Sequence, residues 1–255
     1  MKFDNYIGID YSGAETTESR LKGLQVYKAT QTDQPVKAST ATHGVKNWSR
    51  LEVAQYCKKV LGSDETSIIG IDHGFSFPIN YMKRYRLNTW DKFLVDFVRH
   101  WPTADPLTRV DSVRDNNPRT GNPTELRLCE EWTATAKSVF MFDVQGSVAK
   151  STHSGLPWLL WLREIPMLQE RVHFWPFDGF DVPDHKSVMV EAYPALYKRR
   201  FCKQNRSPDE HDAWSIAAWI KEADKRGILD RYFIPPLMSN ERKKAELEGW
   251  ILGVC

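Results

Sequence analysis

Cysteine is scarce: four in 255 residues, at Cys57, Cys129, Cys202 and Cys255, with no CxxC pair. Thiols so dispersed exclude a cystine scaffold and a zinc-ribbon spacing, and they suit a reducing compartment. No run approaches the roughly 18 consecutive apolar residues that a membrane span requires. The opening MKFDNYIGIDYSG places charge and glycine where a signal peptide carries its apolar run. The expectation is a cytoplasmic protein with no membrane partner. An excess of one charge sign is also lacking. The 35 Lys and Arg against 33 Asp and Glu leave a formal net charge of +2. With a pI of 8.3, that balance excludes a binder working through a basic tail alone. A hydrophobic content of 41% with 27% charged residues excludes a disordered or collagenous chain. Against these absences stands one excess, ten tryptophans.

The length exceeds the roughly 100–200 residues usual for one domain, so the expectation is a single α/β unit over 1–255 that carries a large insertion. Residues 6–10 form a short apolar run and read as a buried strand. Residues 23–30 and 36–42 are β-rich and flank a polar turn at 33–35, which predicts a hairpin. Ser49-Arg50-Leu51-Glu52 is a capping box. It opens a helix whose Leu51, Ala54, Cys57 and Leu61 share a face and which Gly62 ends. Residues 67–72 and 187–191 read as further buried strands. Between them, 75–186 is irregular and rich in Trp, Pro, Arg and Asn, an insertion with helices expected at 90–100, 123–137 (capped by Asn122) and 157–170. Ser207-Pro208-Asp209-Glu210 supplies an N-cap, a proline at the first helical position and a capping-box Glu, and Gly227 stops the helix at Arg226. Residues 228–255 form a C-terminal extension with a short charged helix from Asn240.

Three apolar runs end in a carboxylate: Tyr6-Ile7-Gly8-Ile9 in Asp10, Ile68-Ile69-Gly70-Ile71 in Asp72, and Ser187-Val188-Met189-Val190 in Glu191. Continuous apolar runs mark strands buried on both faces, the habit of parallel sheets. Parallel neighbours would put all three acids at the carboxyl edge, where open α/β sheets bind ligands. Crowded acids repel, and a hard divalent cation relieves the repulsion through carboxylate oxygens. In Pro208-Asp209-Glu210-His211-Asp212-Ala213-Trp214, Asp209 and Asp212 share a helix face. The helix dipole explains Asp209 and Glu210 in the first turn. Asp212 lies deeper, ahead of the small Ala213, Ala217 and Ala218, and reads as a fourth acid aimed at the others.

The motifs GIDYSGA (8–14), GIDHGFSFP (70–78), WPFDG (175–179), EAYPA (191–195) and HDAWSIAAW (211–219) resemble, in this order, the family called domain of unknown function 429. The resemblance runs from Tyr6 to about Trp219. It implies a ribonuclease H-like fold, a mixed sheet flanked by helices with a large, mainly helical insertion before the last strand. It further implies Asp10, Asp72 and Asp212 as ligands of Mg²⁺ or Mn²⁺, with Glu191 as a further catalytic residue. The family is viewed as predicted nucleases, so the expected activity is hydrolysis of nucleic acid by a two-metal carboxylate mechanism. His73 and His211, each beside a candidate ligand, are candidates to move a proton or to stand behind the ligands.

Two basic–aromatic clusters, 81–86 and 197–201, suit contact with nucleic acid. The second follows Glu191 directly and nominates Lys198, Arg199 and Arg200 as substrate-binding residues. From 191 to 206 there are five Lys or Arg against one acid, so any electrostatic footprint is local. Gly146-Ser147-Val148-Ala149-Lys150-Ser151 lacks the glycine and spacing of a phosphate loop. The surrounding segment 143–155 still offers Gln145, Lys150 and Ser151 as a polar substrate loop, and Lys150 is taken as a candidate. Asp10-Tyr11-Ser12-Gly13 is also compatible with an ATP-dependent phosphotransferase of the actin-like superfamily, and a non-catalytic nucleic-acid or nucleotide-binding protein is a third reading. Trp158, Trp161, Trp214 and Trp219 are expected in the core. Trp90, Trp101 and Trp132 fall in the insertion, where a groove is a possible use for them.

Overall fold

Strand β1 (Asn5–Asp10) alternates its side chains between two cores, because successive strand residues point to opposite faces. Ile7 and Ile9 join one apolar cluster, with Ile69, Ile71 and Met189. Tyr6 joins the other, with Ile68, Val188 and Val190. A computed structural model describes every residue except His43, Ala134 and Gln145. It is α/β, with a six-stranded mixed sheet flanked by helices. The sheet order is β3-β2-β1-β4-β6-β5, where β2 is Gln25–Thr30, β3 Val36–Lys37, β4 Ser67–Asp72, β5 Val172–Phe174 and β6 Ser187–Glu191. β1 pairs antiparallel with β2 and parallel with β4; β4, β6 and β5 continue in parallel. The three acid-ended strands are therefore adjacent and parallel, as their apolar runs predict.

Helix α1 (Arg50–Leu61) starts on the Ser49–Glu52 capping box. The insertion supplies α2 (Ile79–Arg84), α3 (Trp90–His100), α4 (Val110–Arg114), α5 (Leu128–Glu131), α6 (Ala149–Glu164) and α7 (Pro166–Gln169). Helix α8 (Pro208–Lys225) begins on the Ser207 cap with its Glu210 box and lies across β1, β2 and β4. Its approach depends on two glycines that are neighbours across β1 and β4. A Cβ on Gly8 would sit 2.1 Å from the Ala213 carbonyl oxygen, and one on Gly70 would sit 2.6 Å from Ile216 Cγ2. Ala213 and Ala217 are fully buried there, as their size predicts. Helices α9 (Leu229–Phe233) and α10 (Ser239–Glu248) complete the chain. Beyond them Trp250 is buried and Ile251 bridges to Glu191, so the C-terminal extension closes the end of β6. The folded surface of 11,995 Å² is close to the ~11,600 Å² expected of one unit of this mass, consistent with an insertion folded back onto the sheet.

Four expectations need correction. Residues 123–137 do not form one helix; only Leu128–Glu131 is helical. Asn122 instead accepts the Thr124 amide and hydroxyl, both at 2.9 Å, in a local turn, and Arg127 is extended (φ −75°, ψ 157°). The helix expected at 157–170 begins earlier, at Ala149, and carries Pro157 inside it. Proline has no N–H for the carbonyl four residues back; the Thr103 hydroxyl donates to that His153 carbonyl at 2.5 Å. The strand expected over 36–42 is only Val36–Lys37, because beyond it the Thr40 hydroxyl donates to the carbonyls of Thr42 and Val45. The short strand β5 has no counterpart in the sequence reading. Of the four tryptophans expected in the core only Trp219 is fully buried, whereas Trp90 and Trp101, in the insertion, are. No described helix is long and apolar enough to cross a membrane.

Candidate active site at the carboxyl edge of the sheet

Asp10 and Asp72 are register partners, the last residues of β1 and β4. By strand alternation each shares a face with the glycine two residues earlier, the face that α8 covers. The close approach of α8 brings Asp212, in its second turn, over that edge, and the cleft of about 350 Å³ there is lined by Asp10, Asp72, Asp209, Asp212, Lys198 and Tyr193. All four aspartates are half-buried. Desolvation pushes the Asp10 carboxyl up to about 9, reinforced by Asp72, Asp212 and Asp209 and opposed by Lys198. Asp72 is raised to about 8 by desolvation and then by Asp212, with Lys198 again opposing. Burial and Asp212 also raise Asp209. The cleft thus gathers carboxyls whose ionisation is disfavoured by burial and by one another and only partly offset by Lys198.

The cation resting on the cluster is Lys198, whose ammonium donates to Asp212 Oδ2 at 2.7 Å. It sits in a single 3₁₀ turn, Lys198–Arg200. His211 Nε2 lies 3.2 Å from the Lys198 carbonyl and steadies that turn. Arg199 and Arg200 are exposed beside the cleft, outside its lining. Lys150 is directed elsewhere: its ammonium is 2.6 Å from Asp111, although Ser147, Val148 and Ser151 around it do line the cleft. Gln145 lies outside the described residues.

Glu191 is separated from the other acids by one residue of register. It is level with Ile71, not Asp72, and alternation turns it to the opposite face of the sheet. There Arg127, from the insertion, takes both its oxygens, Nη1 to Oε2 at 2.7 Å and Nη2 to Oε1 at 2.6 Å. The Phe75 amide also donates to Oε2 at 2.9 Å. Arg127 Nε holds Glu130 at 2.9 Å. Glu191 is thus an anchor between sheet and insertion. His73 faces the same interior. Burial lowers its pKa to about 4, and Nδ1–H donates to the Gly74 carbonyl at 2.9 Å, so it stays neutral and is no proton carrier at pH 7. The first basic–aromatic cluster divides: Tyr81 and Met82 are buried, Arg84 pairs with Glu125 and Arg119 stacks on Tyr85, while Lys83 and Arg86 are exposed.

Sequence reasoning missed two cleft residues. Asp209 was assigned to the helix dipole, although its three-residue spacing from Asp212 already put the two on one face. Tyr193 was visible only as part of EAYPA. The donors present are hard carboxylate oxygens, the chemistry of Mg²⁺ or Mn²⁺. Among the described residues, however, no group of three or more His, Cys, Asp or Glu stands ready-made to hold a metal ion; Asp212 is engaged by Lys198. The residues thus match a divalent ion in donor type alone, and Lys198 occupies one of the carboxylates. No protein-family model matches the chain, and neither the curated proteins nor the solved structures yield a match.

Proposed function

We propose that the chain is a metal-dependent phosphodiesterase that hydrolyses nucleic acid, built on a ribonuclease H-like fold as its resemblance to the domain of unknown function 429 family implies. The observation that carries this reading is the pairing of Asp10 with Asp72 under Asp212, with both strand acids raised far above the carboxylate range. Such an arrangement costs stability in the free protein, and a function explains its presence. The sheet order, with an antiparallel β1–β2–β3 edge and parallel β1–β4–β6, supports the fold assignment. Asp10, Asp72 and Asp212 would hold Mg²⁺ or Mn²⁺. Bound there, a divalent ion supplies a more acidic water and neutralises charge on a departing oxygen. The chain's own residues orient and bind. Gly8 and Gly70 let α8 carry Asp212 to the sheet. Lys198, released from Asp212, is placed to meet a phosphate oxygen, and Arg199 and Arg200 are exposed to meet its neighbours.

The Lys198–Asp212 contact favours a second reading, a binding protein that retains the fold and fills its acid cluster with its own lysine. Incubation with Mg²⁺ or Mn²⁺ and single-stranded, duplex and hybrid nucleic acids separates the two. Cleavage by the wild type that Asp10→Asn abolishes supports the phosphodiesterase. Wild type and Asp10→Asn equally inert on every substrate would leave the binding protein.

A further inference from the structure

Beneath the acid cleft, sharing Asp72, Val148 and Tyr193 with it, lies a second cavity of about 230 Å³. Its floor is made by His73, Arg127, Glu130, Glu191, Ala192 and Ile251, each less than 5% exposed. Its rim comes from Thr135, Ala136, Lys137, Gly146 and Tyr193, and the Tyr193 hydroxyl donates to the Thr135 carbonyl at 3.2 Å. The cavity is therefore a recess opening beside Asp72.

The charge on the floor is already satisfied. Arg127 resembles a phosphate hook, yet all three guanidinium nitrogens are engaged: Nε on Glu130, and Nη1 and Nη2 on Glu191. Glu130 and Glu191 are held in the same network, and His73 Nδ1 is bonded to the Gly74 carbonyl at 2.9 Å. A second phosphate entering here would meet two carboxylates and no available guanidinium, and an ammonium would meet a floor and rim in which Arg127 and Lys137 already match Glu130 and Glu191 in number. An uncharged group is the occupant this floor accepts. The size is also limiting. Pockets for drug-sized ligands run to about 300–1,000 Å³, and 230 Å³ has room for a single ring system. Tyr193 lines both the recess and the acid cleft and is half-buried, so it is the aromatic residue common to the two.

Resting on the phosphodiesterase reading of the acid cleft, we propose that this recess receives one uncharged, unstacked nucleobase while the adjoining phosphodiester lies over Asp10 and Asp72. Tyr193 is the stacking platform and determines specificity. A base inside a duplex is stacked and paired and must be extracted at a free-energy cost before it enters a recess; a base in a single strand carries much less of that cost. The substrate class is accordingly single-stranded nucleic acid.

Two readouts test this, one independent of catalysis. Calorimetric titration of the metal-free protein with thymidine and with adenosine should show saturable 1:1 binding in the millimolar range or tighter. Tyr193→Ala should weaken it by about fivefold or more, as loss of a stacking ring does. Tyr193→Phe, which keeps the ring and loses only the hydroxyl contact, should bind like the wild type, and Asp10→Asn should not diminish binding. With Mn²⁺, wild type should cleave a single strand faster than the same strand in a duplex, and Tyr193→Ala should narrow that ratio. Absence of saturable nucleoside binding, binding unchanged in Tyr193→Ala, or duplex cleaved as fast as single strand overturns the proposal. In that last case the phosphodiesterase reading survives. If no strand is cleaved, that reading fails and nucleoside binding alone decides the recess.

Discussion

Asp10 and Asp72 stand on the same rung of two parallel strands. Their side chains emerge on one face, and among the described residues neither receives a cation of its own: the nearby Lys198 ammonium is bonded to Asp212. Four aspartates line the cleft with the one ammonium of Lys198, an imbalance that burial makes costly.

The metal-free protein should lose stability as pH rises. The folded Asp10 and Asp72 carboxyls are raised to about 9 and about 8, whereas in the unfolded chain they titrate near 4. Between those limits the folded state binds more protons, so stability is greatest below about pH 4 for these two groups and falls through about pH 9. Other groups set the acid limb. Thermal unfolding in chelator from pH 6 to 9 should show a falling Tm, flatter in Asp10→Asn. At pH 8 Asp10→Asn should be the more stable protein.

Gly8→Ala should be severely destabilising. Its Cβ would lie 2.1 Å from the Ala213 carbonyl oxygen and 2.7 Å from the Ala217 amide nitrogen, and helix backbone has no rotamer with which to yield. Overpacking of this kind costs about 1–3 kcal/mol or more. Gly70→Ala meets side chains, Ile216 and Ile220, and should cost less. Denaturant unfolding of the two variants measures the difference. Any Gly8→Ala that folds should have α8 displaced and should lose activity.

Glu191→Gln should act on stability. Removing one partner of a buried ion pair costs about 3–5 kcal/mol when the other is left uncompensated; Arg127, 1% exposed, keeps Glu130, so the loss should fall below that range. The triple variant Arg127→Met, Glu130→Gln, Glu191→Gln, which leaves no member of the network charged, should recover part of that loss in a denaturant titration. A Glu191→Gln protein of wild-type stability and no activity would instead place Glu191 in the chemistry.

Lys198→Ala should release Asp212. Mn²⁺ should then bind several-fold more tightly, because an internal competitor is gone, while KM for nucleic acid rises with the loss of a phosphate contact. Calorimetry and steady-state kinetics read the two effects separately.

Much of this site was legible in the sequence because its signals are local. Apolar runs of four residues gave β1, β4 and β6, the Ser207 cap fixed the start of α8, and Ala213 and Ala217 marked the face that nears the sheet. Glu191 shows where local signals stop. It ends its run just as Asp10 and Asp72 do, yet register is set between strands, and one residue of offset gives it to Arg127 on the other face. Arg127 itself lies where a helix was expected, in extended backbone that the buried ion pair holds. Pro157 inside α6 was equally illegible, since the donor that replaces its missing N–H is Thr103, 54 positions earlier in a different segment.

The central claim is that Asp10, Asp72 and Asp212 together hold a divalent ion for phosphodiester hydrolysis, and a titration of Mn²⁺ followed by electron paramagnetic resonance tests it most directly. The wild type should bind Mn²⁺ saturably, and Asp10→Asn and Asp72→Asn should each lose that binding by about tenfold or more. A wild type that does not bind Mn²⁺, or variants that bind it as tightly as the wild type, would contradict the account.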